Sequence, residues 1–259
     1  MIKKIKLEIK LPEGCKVNSS MGSILHGALM ELVVPGFAEK MHQVGLRPYS
    51  QYVYFARDTH KAYWVITALN DDTCSQLLEP ILQLDKPIEL SQKGYALEII
   101  QKNIVKETSF EAIADKAFLA EQKNNWAELE FLTGAGFKSD GEYVFFPMLS
   151  FIFQNLYKRW DAFTDGIHLG DYDTLQHLIE NGIIYRYNLQ MRQFFIGQGR
   201  IPSFNGSMEV RLFGNDTLKS IAAMLLEFSN YAGIGIKTAL GMGGIKTVLS
   251  EKRREVNRD

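Results

Sequence analysis

Apolar and polar residues alternate over residues 2–11, with Ile5, Leu7, Ile9 and Leu11 on one side and Lys4, Lys6, Glu8 and Lys10 on the other. A period of two predicts a half-buried strand. The rhythm then changes: Ile24, Leu25, Ala28, Leu29 and Leu32 follow the helical period, with Ser19 or Ser20 placed to cap that helix. Pro35-Gly36 interrupts it, and a short second helix carrying Phe37, Met41 and Val44 is expected to stop at Gly45. Aromatic and β-branched residues predict strands over 51–56 and 63–69. Asp71-Asp72 opens another amphipathic helix with Leu77, Leu78, Ile81 and Leu82, which must tolerate Pro80, and extended segments fill 88–105. The order β-α-β-β-α-β is the ferredoxin-like arrangement.

The second half repeats this outline. Residues 128–132 read as a strand, 148–160 and 173–180 as helices, and 183–196 and 208–213 as paired strands joined across a Gly- and Pro-containing loop over 197–206. Asp216-Thr217 caps a helix over 218–231, and residues 245–249 close the set as a strand. The expected fold is α+β, two tandem ferredoxin-like (RRM-like) domains facing across a cleft. They are placed at 1–106 and 127–259, with a polar, helix-prone connector at 107–126. The cleft would lie beside the last helix-to-strand connection and suits an extended, flexible polyanion.

Composition narrows the classes. No apolar run approaches the roughly 18 residues of a membrane span, and the N-terminus enters a strand pattern directly, unlike a signal peptide. Cys15 and Cys74 have no ligand-like spacing, so neither a disulfide scaffold nor a zinc site is expected, and a reducing cytoplasm is the expected compartment. The net charge is −1, but from residue 183 onward 11 Lys/Arg face 6 Asp/Glu, a local surplus that suits an anion-binding face. Lys252-Arg253-Arg254 supplies much of it.

The segment between the last helix and the last strand reads Gly233-Ile-Gly235-Ile-Lys237-Thr-Ala-Leu-Gly241-Met-Gly243-Gly244. It fails the Walker A pattern, because Ile236 separates Gly235 from Lys237, and the dinucleotide fingerprint, because Thr238 stands where a third Gly is required. A backbone able to take positive φ beside a polyanion remains, with Lys237 in its middle; the bland alternative is a plain glycine-rich turn. Two Gly-apolar-Gly units five residues apart resemble the C-terminal loop of the RAMP superfamily of CRISPR-associated RNA-binding proteins, most of all their repeat-cleaving endoribonucleases.

Five histidines are candidates for proton transfer near neutrality. His42 precedes Arg47, Pro48 and Tyr49 at a helix end, and His26 lies one helix earlier in Leu25-His26-Gly27. His60 reads as a surface turn residue, and His168 and His177 have no obvious partner. In the endoribonucleases that the loop resembles, a Leu-His-x-x-Gly-like element after the first helix carries a histidine that acts in cleavage. Met41-His42-Gln43-Val44-Gly45 matches it with Met for Leu. Some members use a histidine inside the first helix, where His26 falls. Phe137-Lys138-Ser139, Phe146-Pro147 and Lys158-Arg159-Trp160 extend the resemblance over most of the chain.

The resemblance implies cleavage of CRISPR precursor RNA by the RNA's own 2′-hydroxyl, without metal or other cofactor, to give 2′,3′-cyclic phosphate and 5′-hydroxyl ends. His42 is favoured as the acid or base with His26 second, and Arg47 and Tyr49 assist. The glycine loop (Gly233, Gly235, Gly241, Gly243), Lys237, Lys246, Arg186, Arg192 and Arg200 would hold RNA. The partners implied are repeat RNA and CRISPR effector proteins, with no membrane and no DNA substrate. The alternatives are a non-catalytic RNA-binding subunit of an effector complex, or a ferredoxin-like protein unrelated to RNA.

Overall fold

A computed structural model describes residues 1–43, 45–170 and 172–251. Val44 of the histidine element and the basic tail residues Lys252, Arg253 and Arg254 lie outside the described residues. The first half runs β1 (Ile2–Lys10), α1 (Gly22–Leu32), α2 (Pro35–His42), β2 (Tyr49–Ala56) and β3 (Lys61–Ala68). It continues with α3 (Asp71–Thr73), a π turn (Cys74–Leu78), α4 (Glu79–Gln83), β4 (Ile88–Leu90) and β5 (Tyr95–Thr108). The strands form one antiparallel sheet in the order β2-β3-β1-β5-β4. Its first four members have the ferredoxin-like order, and β4 is added at the edge. The register places Ile5, Leu7 and Ile9 in the core beneath α1, as the alternation requires.

Several local devices differ from the expected ones. Asn18, not Ser19 or Ser20, caps the helical entry through its side-chain oxygen, and the Ser20 hydroxyl accepts instead from the Phe195 amide of the second half. Pro35 starts α2 at a position where its missing N–H leaves nothing unpaired, and α2 ends at His42, before Gly45. Pro80 is tolerated because the π turn just ahead of it already breaks the α-helical ladder, with the Glu79 amide donating to Cys74 O.

α5 (Phe110–Phe118) follows β5, which runs past residue 106. This stretch is more than a polar link: Phe110, Ile113, Ala114 and Ala117 are buried in the core of the second half. That half contains β6 (Trp126–Ala135), β7 (Phe137–Ser139), β8 (Glu142–Val144), α6 (Leu149–Phe163) and α7 (Tyr172–Glu180). β9 (Gly182–Ile196), β10 (Gly199–Leu212), α8 (Asp216–Ala232) and β11 (Ile245–Ser250) complete it. The sheet order β11-β6-β10-β9 is again ferredoxin-like.

The loop expected over 197–206 is instead mostly strand. β9 and β10 are joined by a tight turn, with Gly199 paired to Ile196. Pro202 fits in β10 because pairing to β6 begins only at Phe204, so no partner there needs its amide.

The halves meet in a polar and glycine-lined seam. Gln51, buried on β2, donates to Gly22 O at 3.1 Å and Ala239 O at 2.7 Å, and accepts from Trp64 Nε1 at 2.7 Å. Ser50 donates to Tyr231 O at 2.6 Å and Lys4 to Asn230 O at 2.9 Å. Gln51 thus ties the start of α1 to the glycine loop.

Candidate active site

α1 carries His26 on its buried side, α2 ends on His42, and the loop that follows returns through Arg47 to Tyr49 at the start of β2. Three short elements therefore converge. His26 Nδ1 lies 2.5 Å from Tyr49 Oη, a buried contact, and the His26 and His42 rings meet edge-on with centroids 6.0 Å apart. Arg47 Nε donates to Met41 O at 2.6 Å, which closes the turn behind His42. All four side chains singled out for catalysis occupy one place.

Burial makes the inner pair neutral. Desolvation, helped by the charge of Arg47 and by His42, pushes the His26 imidazole down to about 4. Burial also holds the Tyr49 phenol well above its usual value, against a smaller opposing pull from Arg47. His42 is exposed, so it forms the solvent-reaching end of the cluster.

The His26 shift has a consequence for stability. The unfolded chain takes up this proton near pH 6.5 and the folded chain only near 4. The contribution is complete above pH 6.5 and is lost as pH falls from 6.5 toward 4, by about 3 kcal/mol. Urea unfolding of wild type and His26→Gln at pH 7 and pH 4.5 checks this. The wild type should lose more stability on acidification; equal losses would show that His26 is not buried as a neutral base.

The glycine loop fits between the two halves. Gly241 and Gly22 pack backbone to backbone, and a Cβ on Gly22 would lie 2.6 Å from Gly241 Cα. Ala239 enters the core of the first half. The amides of Gly233, Gly235, Gly241 and Gly243 already donate inside the protein, to Ser229 O, Asn155 Oδ1, Thr238 O and Gly134 O. These glycines serve close packing and positive φ, from +67° to +99°; their amides are committed before any ligand arrives. Lys237 is exposed at φ +55°, a conformation unusual for a residue with a Cβ.

A cleft of about 320 Å³ lies where this loop meets the Arg47 turn, lined by Arg47, Lys138, Tyr143, Asn155, Arg159 and Lys237 among others. Lys138 and Tyr143 come from the β7-β8 hairpin, which is not among the expected elements. Its signal was present: Asp140-Gly141, both at positive φ, joins two short alternating segments as a tight hairpin turn. Asn155 and Arg159 stand one helical turn apart on α6. Asn155 pins the loop by accepting from Gly235 N at 2.9 Å and donating to Gly235 O at 3.3 Å.

The remaining candidate cations are dispersed. Arg186, Arg192 and Arg200 are exposed on the β9-β10 hairpin. Arg186 and Arg192 share one side of β9, whereas Arg200 pairs with Phe195 on the other, its guanidinium 5.9 Å from that ring. Lys246 is exposed on β11 opposite Glu130, apart from the cleft lining. His60, His168 and His177 are exposed; His60 meets the Phe55 ring, and His168 and His177 lie beside Asp161 and Glu180. Among the described residues, no group of three or more His, Cys, Asp or Glu side chains is placed to hold a metal ion. No helix among them is long and apolar enough to cross a membrane.

Residues 129–245 match the family model for the CRISPR-associated endoribonuclease Cas6. A Streptococcus thermophilus CRISPR-associated endoribonuclease Cas6 is 33% identical over 85% of this chain and 88% of its own length. The chain belongs to the Cas6 family. A Mycobacterium tuberculosis Cas6 is 31% identical over 93% of this chain and 76% of its own. A Thermus thermophilus Cas6 has the same fold, with a TM-score of 0.71 at 21% identity over 96% of this chain and 98% of that one; its product complex gives 0.78. The Cas6 family match takes in the glycine loop and α6. The histidine cluster lies outside the residues matched by the family model.

Proposed function

We propose that this Cas6 family member cleaves CRISPR precursor RNA within its repeats, by attack of a ribose 2′-hydroxyl on the adjacent phosphate. The convergence of His26, His42, Arg47 and Tyr49 beside a cationic cleft supports this reading. The 2′-hydroxyl loses its proton to a base as O2′ bonds to phosphorus. The P–O5′ bond breaks, and the leaving oxygen takes a proton, giving a 2′,3′-cyclic phosphate and a 5′-hydroxyl. His42 reaches solvent and is the group we assign to proton transfer at the RNA. His26, neutral and bonded to Tyr49, orients the phenol and supports His42 from behind. Arg47 contributes positive charge where the phosphate gains negative charge in the transition state. Lys237, Lys246, Arg186, Arg192 and Arg200 supply the wider electrostatic field that holds the polyanion.

A single 2′-deoxynucleotide tests the chemistry. Placed at the mapped cut site of the host's repeat RNA in EDTA, it should leave binding unchanged and abolish cleavage there, while the all-ribose RNA is cut once. Cleavage of the deoxy substrate would remove the 2′-hydroxyl mechanism. Tight binding with no cleavage of either RNA would identify an RNA-binding subunit instead.

A further inference from the structure

Arg159 is only 3% exposed, yet its Nε and Nη2 atoms have no hydrogen-bond partner. No carboxylate forms an ion pair with it among the described residues, and its only charge-related contact there is with the Phe163 ring, 5.9 Å away. Burial pulls the guanidinium down to about 10 with no opposing carboxylate, yet it stays charged at neutral pH. An uncompensated buried cation is strongly unfavourable in a finished interior. The side chain nevertheless lines the cleft, together with Lys138, Lys237 and Arg47, a further cationic set without a carboxylate. Its backbone is held firmly. The next residue, Trp160, is fully buried against Phe110 and Phe228 with centroids 4.9 and 5.3 Å apart, and Asn155 one turn earlier is bonded to the glycine loop.

We infer that Arg159 is a preset anion fork: a backbone phosphate of the RNA enters the cleft between α6, the β7-β8 hairpin and the glycine loop and completes its hydrogen bonds. The planar guanidinium suits two phosphate oxygens at once, which Lys138 and Lys237 cannot do as point charges. Arg47 belongs both to this cleft and to the histidine cluster. A phosphate held by Arg159 therefore lies beside the reacting one and sets the register of the strand. The glycine loop acts here as the wall that Asn155 fixes, its own glycine amides being already engaged.

This inference rests on the RNA-cleaving reading for its ligand, so the test separates the two. Free wild type, Arg159→Met and Arg159→Lys would be melted with and without inorganic phosphate. Each would then be titrated with repeat RNA carrying the single 2′-deoxynucleotide, over a range of salt. The expected results for Arg159→Met are a melting temperature at or above wild type in phosphate-free buffer and no stabilisation by phosphate. Its RNA affinity should fall about 10- to 100-fold, with a slope of log affinity against log salt shallower by about 0.7 to 0.9. Arg159→Lys should retain the slope and lose part of the affinity.

An unchanged salt slope in Arg159→Met, whatever its melting temperature, would show that Arg159 serves packing and overturn the inference. If wild type fails to bind the repeat RNA but phosphate still stabilises it through Arg159, the anion fork stands and the RNA reading falls.

Discussion

Replacement of His42 by alanine is expected to slow single-turnover cleavage of repeat RNA by about 10²- to 10⁴-fold, the range for losing one positioned acid or base. RNA affinity should stay within a few-fold, because the cleft cations Arg47, Lys138, Arg159 and Lys237 are untouched. His26→Ala should behave differently. It removes the partner of the buried Tyr49 hydroxyl, which lies 2.5 Å from His26 Nδ1. A buried hydroxyl without a partner costs about 1–3 kcal/mol. The His26 variant should therefore lose stability as well as rate, and His42→Ala only rate, since His42 is exposed at the end of α2. Rapid-quench cleavage with parallel urea unfolding distinguishes these. Normal cleavage by His42→Ala with a large loss in His26→Ala would move proton transfer to the inner imidazole. Normal cleavage by both would remove the assignment altogether.

The parts of this site visible in the sequence are those set by short-range pattern. Alternation fixed β1, and the helical period placed His26 inside a helix and His42 at the end of another. Arg47 and Tyr49 then had to be near His42, because only a short turn separates them. That His26 also meets Tyr49 was not readable. It depends on α1 crossing β2, a tertiary contact across 23 residues of chain.

The glycine loop shows the same limit in reverse. Its spacing stood out, and a phosphate-cradling backbone was the natural expectation, but which amides are free is decided in part by Asn155 and Gly134, both far from it in sequence. Arg159 stood out only as part of Lys158-Arg159-Trp160, a stretch of the family resemblance at a helix end, with no role attached. Its burial and lack of a partner follow from the fold of the whole second half around α6, with no local signal. The β7-β8 hairpin is the exception, since Asp140-Gly141 was a legible turn.

Gly22→Ala is expected to damage the junction of the two halves. Gly22 has ordinary helical dihedrals, φ −54° and ψ −35°, so a side chain adds no backbone strain there. The obstacle is steric: a Cβ would sit 2.6 Å from both Gly241 Cα and Leu240 O. Both neighbours are backbone held by the seam that Gln51 ties to Gly22 O and Ala239 O, so neither can yield alone. The two halves must separate locally, at about 1–3 kcal/mol, the usual penalty of overpacking.

The effect on chemistry should exceed the effect on folding. His26 rides on α1 one turn beyond Gly22, while Lys237 and the cleft wall belong to the loop being pushed away. A displacement of about 1 Å between a catalytic group and its phosphate site is worth roughly 10²-fold in rate. Gly27→Ala is the control, in the same helix and next to His26, with nothing within 4 Å of its added Cβ. It should stabilise the protein by about 0.5–1 kcal/mol through helix propensity and cleave normally. If the two variants melt and cleave alike, the Gly22–Gly241 approach is not what aligns α1 with the loop, and alignment must come from Gln51 and the polar seam alone.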